Sequence, residues 1–158
     1  MNTRASDREN KKGVSRCNKG VGRRQCGACP YLTKHPNQVR KTIKINSSGE
    51  TIKIEDPINC KTKSVLYILD SDKNDKQYGG QTGGTVARRT LQHVNDIENG
   101  KVEKAVPAHF KATKSGKNNL RMTPVMVVKS RNPWVRLHFE RDFINKHHLV
   151  ESGINRVL

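Results

Sequence analysis

Short apolar runs separated by polar stretches mark out the elements of this chain. Met1–Arg16 carries no apolar period, which predicts a flexible basic arm. Lys41–Ile45 and Thr51–Ile54 alternate, so Ile43, Ile45, Ile52 and Ile54 fall on one face. Ser47-Ser48-Gly49 between them is turn chemistry, and the pair predicts a β-hairpin. Ser64–Leu69 is a continuous apolar run of strand length, the pattern of a buried central strand. Asp70–Asp75 is a polar turn, and Lys76–Gly80 returns as an antiparallel strand. A glycine-rich loop, Gly79–Gly84, leads to Thr85 as N-cap of a helix reaching about Asn99, with Gly100 as its stop. A shorter helix over Val106–Thr113, a strand over Thr123–Lys129 and a helix from Asn132-Pro133 to about His148 follow. The sum is an α+β fold: a small, mainly antiparallel central sheet of about three strands flanked by helices.

Several polar residues sit where this pattern calls for apolar ones. On the first long helix Val86, Thr90, Val94 and Ile97 form the apolar face, and Arg89 and His93, four apart, are neighbours at its edge. Position alone makes them as readily ordinary surface groups as a working pair. On the last helix Leu137, Phe143 and Ile144 define an inward patch, with Glu140 between them at helical spacing. A carboxylate there must be paired, metal-bound or protonated, because an unpaired buried charge is costly. A salt bridge to Arg89 is the plainest of these, and His147 lies near the same line of the helix. Tyr67 and Tyr78, two of the three tyrosines, fall on adjacent strands, where tyrosines usually pack.

Charge narrows the function. Thirty-one Lys and Arg against 14 Asp and Glu give a formal net charge of +17, and mean hydropathy is −0.84. The balance predicts a polyanionic partner, foremost nucleic acid. No stretch approaches the ~20 apolar residues of a membrane-spanning helix, and no apolar segment near Met1 reads as a secretory signal. In such a chain, read as intracellular, four cysteines favour metal over disulfides. Cys26-Gly27-Ala28-Cys29 has the spacing of a zinc knuckle, and Cys17 and Cys60 complete a set of four for one structural Zn²⁺. His35 or His109 are candidate replacements for either single cysteine, and free reduced thiols are the bland alternative. The chain thus divides into a basic arm (1–16), a cysteine-rich zinc segment containing the hairpin (17–60) and a globular domain (61–158). Two further phosphate or metal motifs fail: no Gly-Lys-Ser/Thr follows the glycine loop, and Asp70-x-Asp72-x-Asn74 lacks the glycine and glutamate of a calcium loop.

In order, Val65-Leu66-Tyr67, Tyr78-Gly79-Gly80-Gln81-Thr82, Arg89 with His93, Glu140 and Gly153-Ile154-Asn155 resemble the GIY-YIG nuclease superfamily over about Lys63 to Leu158. Two positions depart: Val65-Leu66 replaces Gly-Ile, and Gly79 stands where a β-branched residue is usual. The resemblance implies a Mg²⁺-dependent endonuclease in which Glu140 binds one Mg²⁺. It implies that Tyr67 positions or deprotonates water, and that Arg89 holds the scissile phosphate. Tyr78 and His93 would orient water or phosphate, and Asn155 would bond backbone or phosphate nearby. Gly80, Gln81, Thr82 and Arg88 would contact the DNA substrate. The cysteine layout with Val106-Pro107-Ala108-His109-Phe110 is similar to the endonuclease domain of Penelope-like retrotransposons. That placement implies a nicking enzyme working with a reverse transcriptase in the nucleus, as a monomer or weak dimer. The rival reading is a non-catalytic, zinc-stapled nucleic-acid-binding protein, which charge and cysteines fit equally.

Overall fold

The computed structural model describes residues 12–17 and 25–156. A three-stranded antiparallel sheet forms its centre, with β5 (Lys63–Ser71) between β6 (Gln77–Thr85) and β7 (Leu120–Val127). The apolar run of β5 makes it the central strand, and Val65 through Leu69 are each 3% exposed or less. Four smaller strands precede it. β1 (Gly13–Val14) pairs in parallel with β4 (Pro57–Ile58), and β2 (Thr42–Lys44) forms the expected hairpin with β3 (Thr51–Lys53), Ile43 opposite Ile52. Gly49 turns this hairpin at φ +73°, a value that favours glycine.

Helices cover both faces of the sheet. Helix α1 (Cys29–Leu32) is a single turn against β7. Helix α2 (Val86–Glu98) starts at Thr85, whose hydroxyl accepts from the Arg88 backbone N–H, and ends before Gly100 at φ +61°. Helix α3 (Ala105–Ala112) packs on α2, and α4 (Pro133–Lys146) begins at Asn132, which caps Trp134 N–H. Because strand side chains alternate, β5 feeds two cores. Val65, Tyr67 and Leu69 join Val86, Val94, Val106, Phe110 and the cysteines. Leu66 and Ile68 join Ile43, Ile45, Val125, Ile144 and Leu149.

Two expectations change. The arm predicted over 1–16 is tied down at its end: Val14 is fully buried and bridges Arg40 by backbone hydrogen bonds. Residues 1–11 of that arm lie outside the described residues. Gly79–Gly84 is no loop but part of β6, whose ladder runs from Asp70↔Gln77 through Lys63↔Thr85. Glycine disfavours strands, yet close packing requires it here. A Cβ on Gly79 would stand 2.9 Å from Leu149 Cδ1, and one on Gly80 would stand 2.4 Å from Tyr67 Cζ.

Candidate active site

The antiparallel register sets Tyr67 opposite Gly80 and Leu69 opposite Tyr78, so both tyrosines project from one face of the sheet. Helix α2 lies on that face. Its Arg89 Nε and His93 Nε2 both stand 2.9 Å from the Tyr67 hydroxyl. A guanidinium only donates, so Arg89 gives its Nε–H to the phenol oxygen, and the phenol and His93 Nε2 share a second hydrogen bond. Burial sets the electrostatics of both. Burial, and secondarily the Arg89 charge, pull His93 down to about 3. Burial pushes the Tyr67 phenol up, with Arg89 only partly opposing it. Tyr67 is 1% exposed and His93 6%, so His93, expected at the edge of the helix face, is in fact inside. The Tyr78 ring meets His93 edge-on at 6.1 Å, and burial and the nearby Glu140 raise its phenol.

Glu140 arrives from α4, on the opposite face, and reaches this place around the exposed edge of β6. Burial raises its carboxyl, while Arg89 and a backbone hydrogen bond from Gln81 pull the other way. The salt bridge to Arg89 weighed from the sequence is not formed. Arg89 is committed to Tyr67 and, through Nη1, to Gln92 at 3.1 Å. Among the described residues Glu140 has no ion-pair partner. Asn155 clasps the strand itself: its Oδ1 accepts from Gly79 N–H at 2.7 Å and its Nδ2 donates to the Gly79 carbonyl at 2.9 Å. That clasp and the contact with Leu149 give Gly79 its physical account.

The remaining predicted contacts line the same edge. Gln81 accepts from Arg136 Nε at 3.2 Å, Thr82 bonds Gly84 N–H, and Arg88 is exposed at the first turn of α2. Arg136 was not foreseen, although it stands one turn before Glu140 on the same helix face, which is the signal that marks it. His147 does not join the site. It is 2% exposed, packs on Phe143 at 4.5 Å, and its Nδ1 lies 3.8 Å from Glu50. A cavity of about 290 Å³ opens beside the cluster, lined by Tyr78, Arg89, His93 and the start of α3.

The fold has counterparts among solved structures. The catalytic domain of the homing endonuclease I-TevI matches with a TM-score of 0.51 and 19% identity, covering 61% of this chain and 100% of that domain. A mutant of the intron endonuclease I-TevI catalytic domain matches at 0.52 and 18%, covering 61% and 95%. The chain shares the fold of that catalytic domain, the fold that the resemblance to the GIY-YIG superfamily implies. No family model and no curated protein matches the sequence.

Beside the GIY-YIG fold, the four cysteines converge. The parallel pairing of β1 with β4 carries Cys17, three residues past Val14, and Cys60, two past Ile58, to one end. There they meet Cys26 and Cys29 at the start of α1. Cys29 Sγ lies 3.4, 3.6 and 3.2 Å from those of Cys17, Cys26 and Cys60, and all four lie within 4.8 Å of one another. Disulfide sulfurs sit near ~2 Å, whereas sulfurs around a tetrahedral zinc sit about 3.8 Å apart. All four thiols are free, and the donor set fits Zn²⁺. Neither histidine replaces a cysteine: His35 is exposed and His109 Nε2 bonds Asn74 at 3.0 Å. No helix among the described residues is long and apolar enough to cross a membrane.

Proposed function

We propose that this chain is a metal-dependent DNA endonuclease that nicks one strand by phosphodiester hydrolysis. The observation that carries this reading is the Tyr67–Arg89–His93 cluster facing a half-buried Glu140 that, among the described residues, forms no salt bridge. Glu140 fits a hard cation that keeps most of its waters, so Mg²⁺ would be held by this one carboxylate. Bound there, it would supply Lewis-acid stabilisation of the charge that builds on the phosphate.

The chain's own groups do the rest. Arg89 has Nη2 left to donate to a phosphate oxygen. Tyr67, fixed between Arg89 and His93, would orient the attacking water beside the phosphate. Tyr78 shields one side of the His93 imidazole. Gly80, Gln81, Thr82 and Arg88 line the path of the substrate strand. The four cysteines hold one structural Zn²⁺. Their position just upstream of the nuclease fold supports kinship with the Penelope-like endonuclease domain. The chain then supplies a mobile element's target-site nick in the nucleus, with a reverse transcriptase as partner, and acts as a monomer with one active site.

A purely DNA-binding protein would account for the charge and the cysteines but leaves Glu140 without a reason. The test is nicking of supercoiled plasmid at low salt with and without Mg²⁺. Glu140→Ala should lose at least ~100-fold in Mg²⁺-dependent nicking while binding DNA as before. Binding without nicking under any divalent metal would overturn the enzymatic reading.

A further inference from the structure

The one tryptophan of the chain, Trp134, is 75% exposed, although tryptophan is a residue that proteins usually bury. It does not stand on a loose loop. Asn132 caps its backbone N–H at 3.0 Å, Pro133 fixes the first helical position, and Arg136 in the same turn bonds Gln81 on β6. The ring is therefore held out into solvent by a braced helix start. Arg141, two turns further on, shares its flank of α4, and Arg131 precedes it; both are exposed. A polyanion is the occupant this charge selects. Glu140 lies six positions beyond Trp134 along α4, about 9 Å along the axis and about 120° around it.

We propose that Trp134 stacks on an unpaired nucleobase near the phosphate that Arg89 holds, so that the chain prefers interrupted duplexes to fully paired DNA. The inference rests on the nuclease reading and names its substrate class. An indole can stack only on a base whose π-face is free. In continuous duplex that face is covered by its neighbours, and uncovering it costs least where a base is already unpaired.

The same tryptophan reports on the test. The protein is titrated, without divalent metal and at low salt, with a duplex carrying one unpaired base and with a fully paired duplex of the same sequence. Binding is read by anisotropy of the labelled DNA, and stacking by Trp134 fluorescence and its quenching by acrylamide. The interrupted duplex should quench the emission, shield the indole and bind about tenfold tighter than the paired one. Trp134→Ala should erase that preference, and Trp134→Phe should keep most of it. A bound complex in which the indole stays as open to acrylamide as in free protein overturns the inference, as does an alanine variant that keeps the preference. Shielding that grows with protein concentration without DNA would assign the ring to self-association instead. Failure of the wild type to bind any DNA would sink the nuclease reading itself, an outcome distinct from the others.

Discussion

The cysteine cluster and the tyrosine–glutamate site are both gatherings of polar side chains from distant parts of the chain, built to opposite plans. Cys17, Cys29 and Cys60 are 3% exposed or less, Cys26 is half-buried, and the four sulfurs lie within 4.8 Å of one another. Around Tyr67 the groups are of four kinds: two phenols, a guanidinium, an imidazole and a carboxylate. Tyr67 and His93 are sealed, Tyr78, Arg89 and Glu140 stay half-exposed, and a cavity opens beside Tyr78, Arg89 and His93. Four equal donors in a closed shell suit a cation that holds structure. Unequal donors with one open side suit chemistry on something that must enter and leave.

The sharpest way to break this contrast is to damage each cluster and ask which property fails. Cys29, in contact with all three other sulfurs, is the place to cut. Purified wild type should carry about one zinc per chain by mass spectrometry. Cys29→Ala or a strong chelator should remove it and lower the melting temperature by at least ~10 °C. Protein purified without chelator that holds no zinc would refute the closed-shell reading.

Gly80→Ala probes the open site from beneath. Its Cβ would overlap the Tyr67 ring at 2.4 to 2.7 Å, so the ring must leave its place between Arg89 and His93. The expected cost is about 1–3 kcal/mol in a denaturant melt. Loss of nicking should be far out of proportion to that cost, with zinc content unchanged. Activity that falls only in step with stability would show that the placement of Tyr67 is not critical.

Acid gives the gentlest probe. The buried His93 is neutral in the folded protein down to about 3 but takes a proton near ~6.5 once unfolded. The unfolded state therefore binds more protons throughout that window, and stability falls as pH falls through it. The slope from this residue is about 1.4 kcal/mol per pH unit. His147, also pulled down by burial, adds in the same sense, while Glu140, raised by burial, opposes it nearer the carboxylate range. Denaturant melts from pH 7 to 5 should show stability falling with a slope that steepens toward this value, and His93→Gln should flatten it. An unchanged slope in the variant would mean that His93 does not carry it.

Much of this architecture was legible in the residues. The continuous run at Val65–Leu69 marked the central strand because a strand covered on both faces needs no polar alternation. Thr85, Gly100 and Asn132 marked helix ends because each supplies a group or a backbone angle that an end requires. The paired strands of the hairpin followed from alternation about Ser47–Gly49. What escaped was structure whose cause lies elsewhere in the chain. Gly79–Gly84 has the composition of a loop and becomes a strand because β5 offers a ladder and the Tyr67 ring needs a residue without Cβ. Val14 has no periodic neighbours, and its burial comes from Pro57–Ile58, far along the sequence. That same pairing decides which cysteines meet, which spacing alone left open. In the site, the residue types and their order were readable, but not that Arg89 would choose Tyr67 over Glu140. That choice depends on how two helices on opposite faces approach one strand edge.

The pairing of β5 with both its neighbours has a consequence for the order in which the molecule is assembled. Strand β6 follows β5 after a short turn, and α2 continues directly from it, so the phenol, the guanidinium and the imidazole all come from residues 67–93. Closing so short a loop costs little entropy. Strand β7 and the helix bearing Glu140 must close much longer loops, and Asn155 must return later still to clasp Gly79. The phenol, guanidinium and imidazole therefore come together through local contacts, whereas the carboxylate joins them only across distant ones.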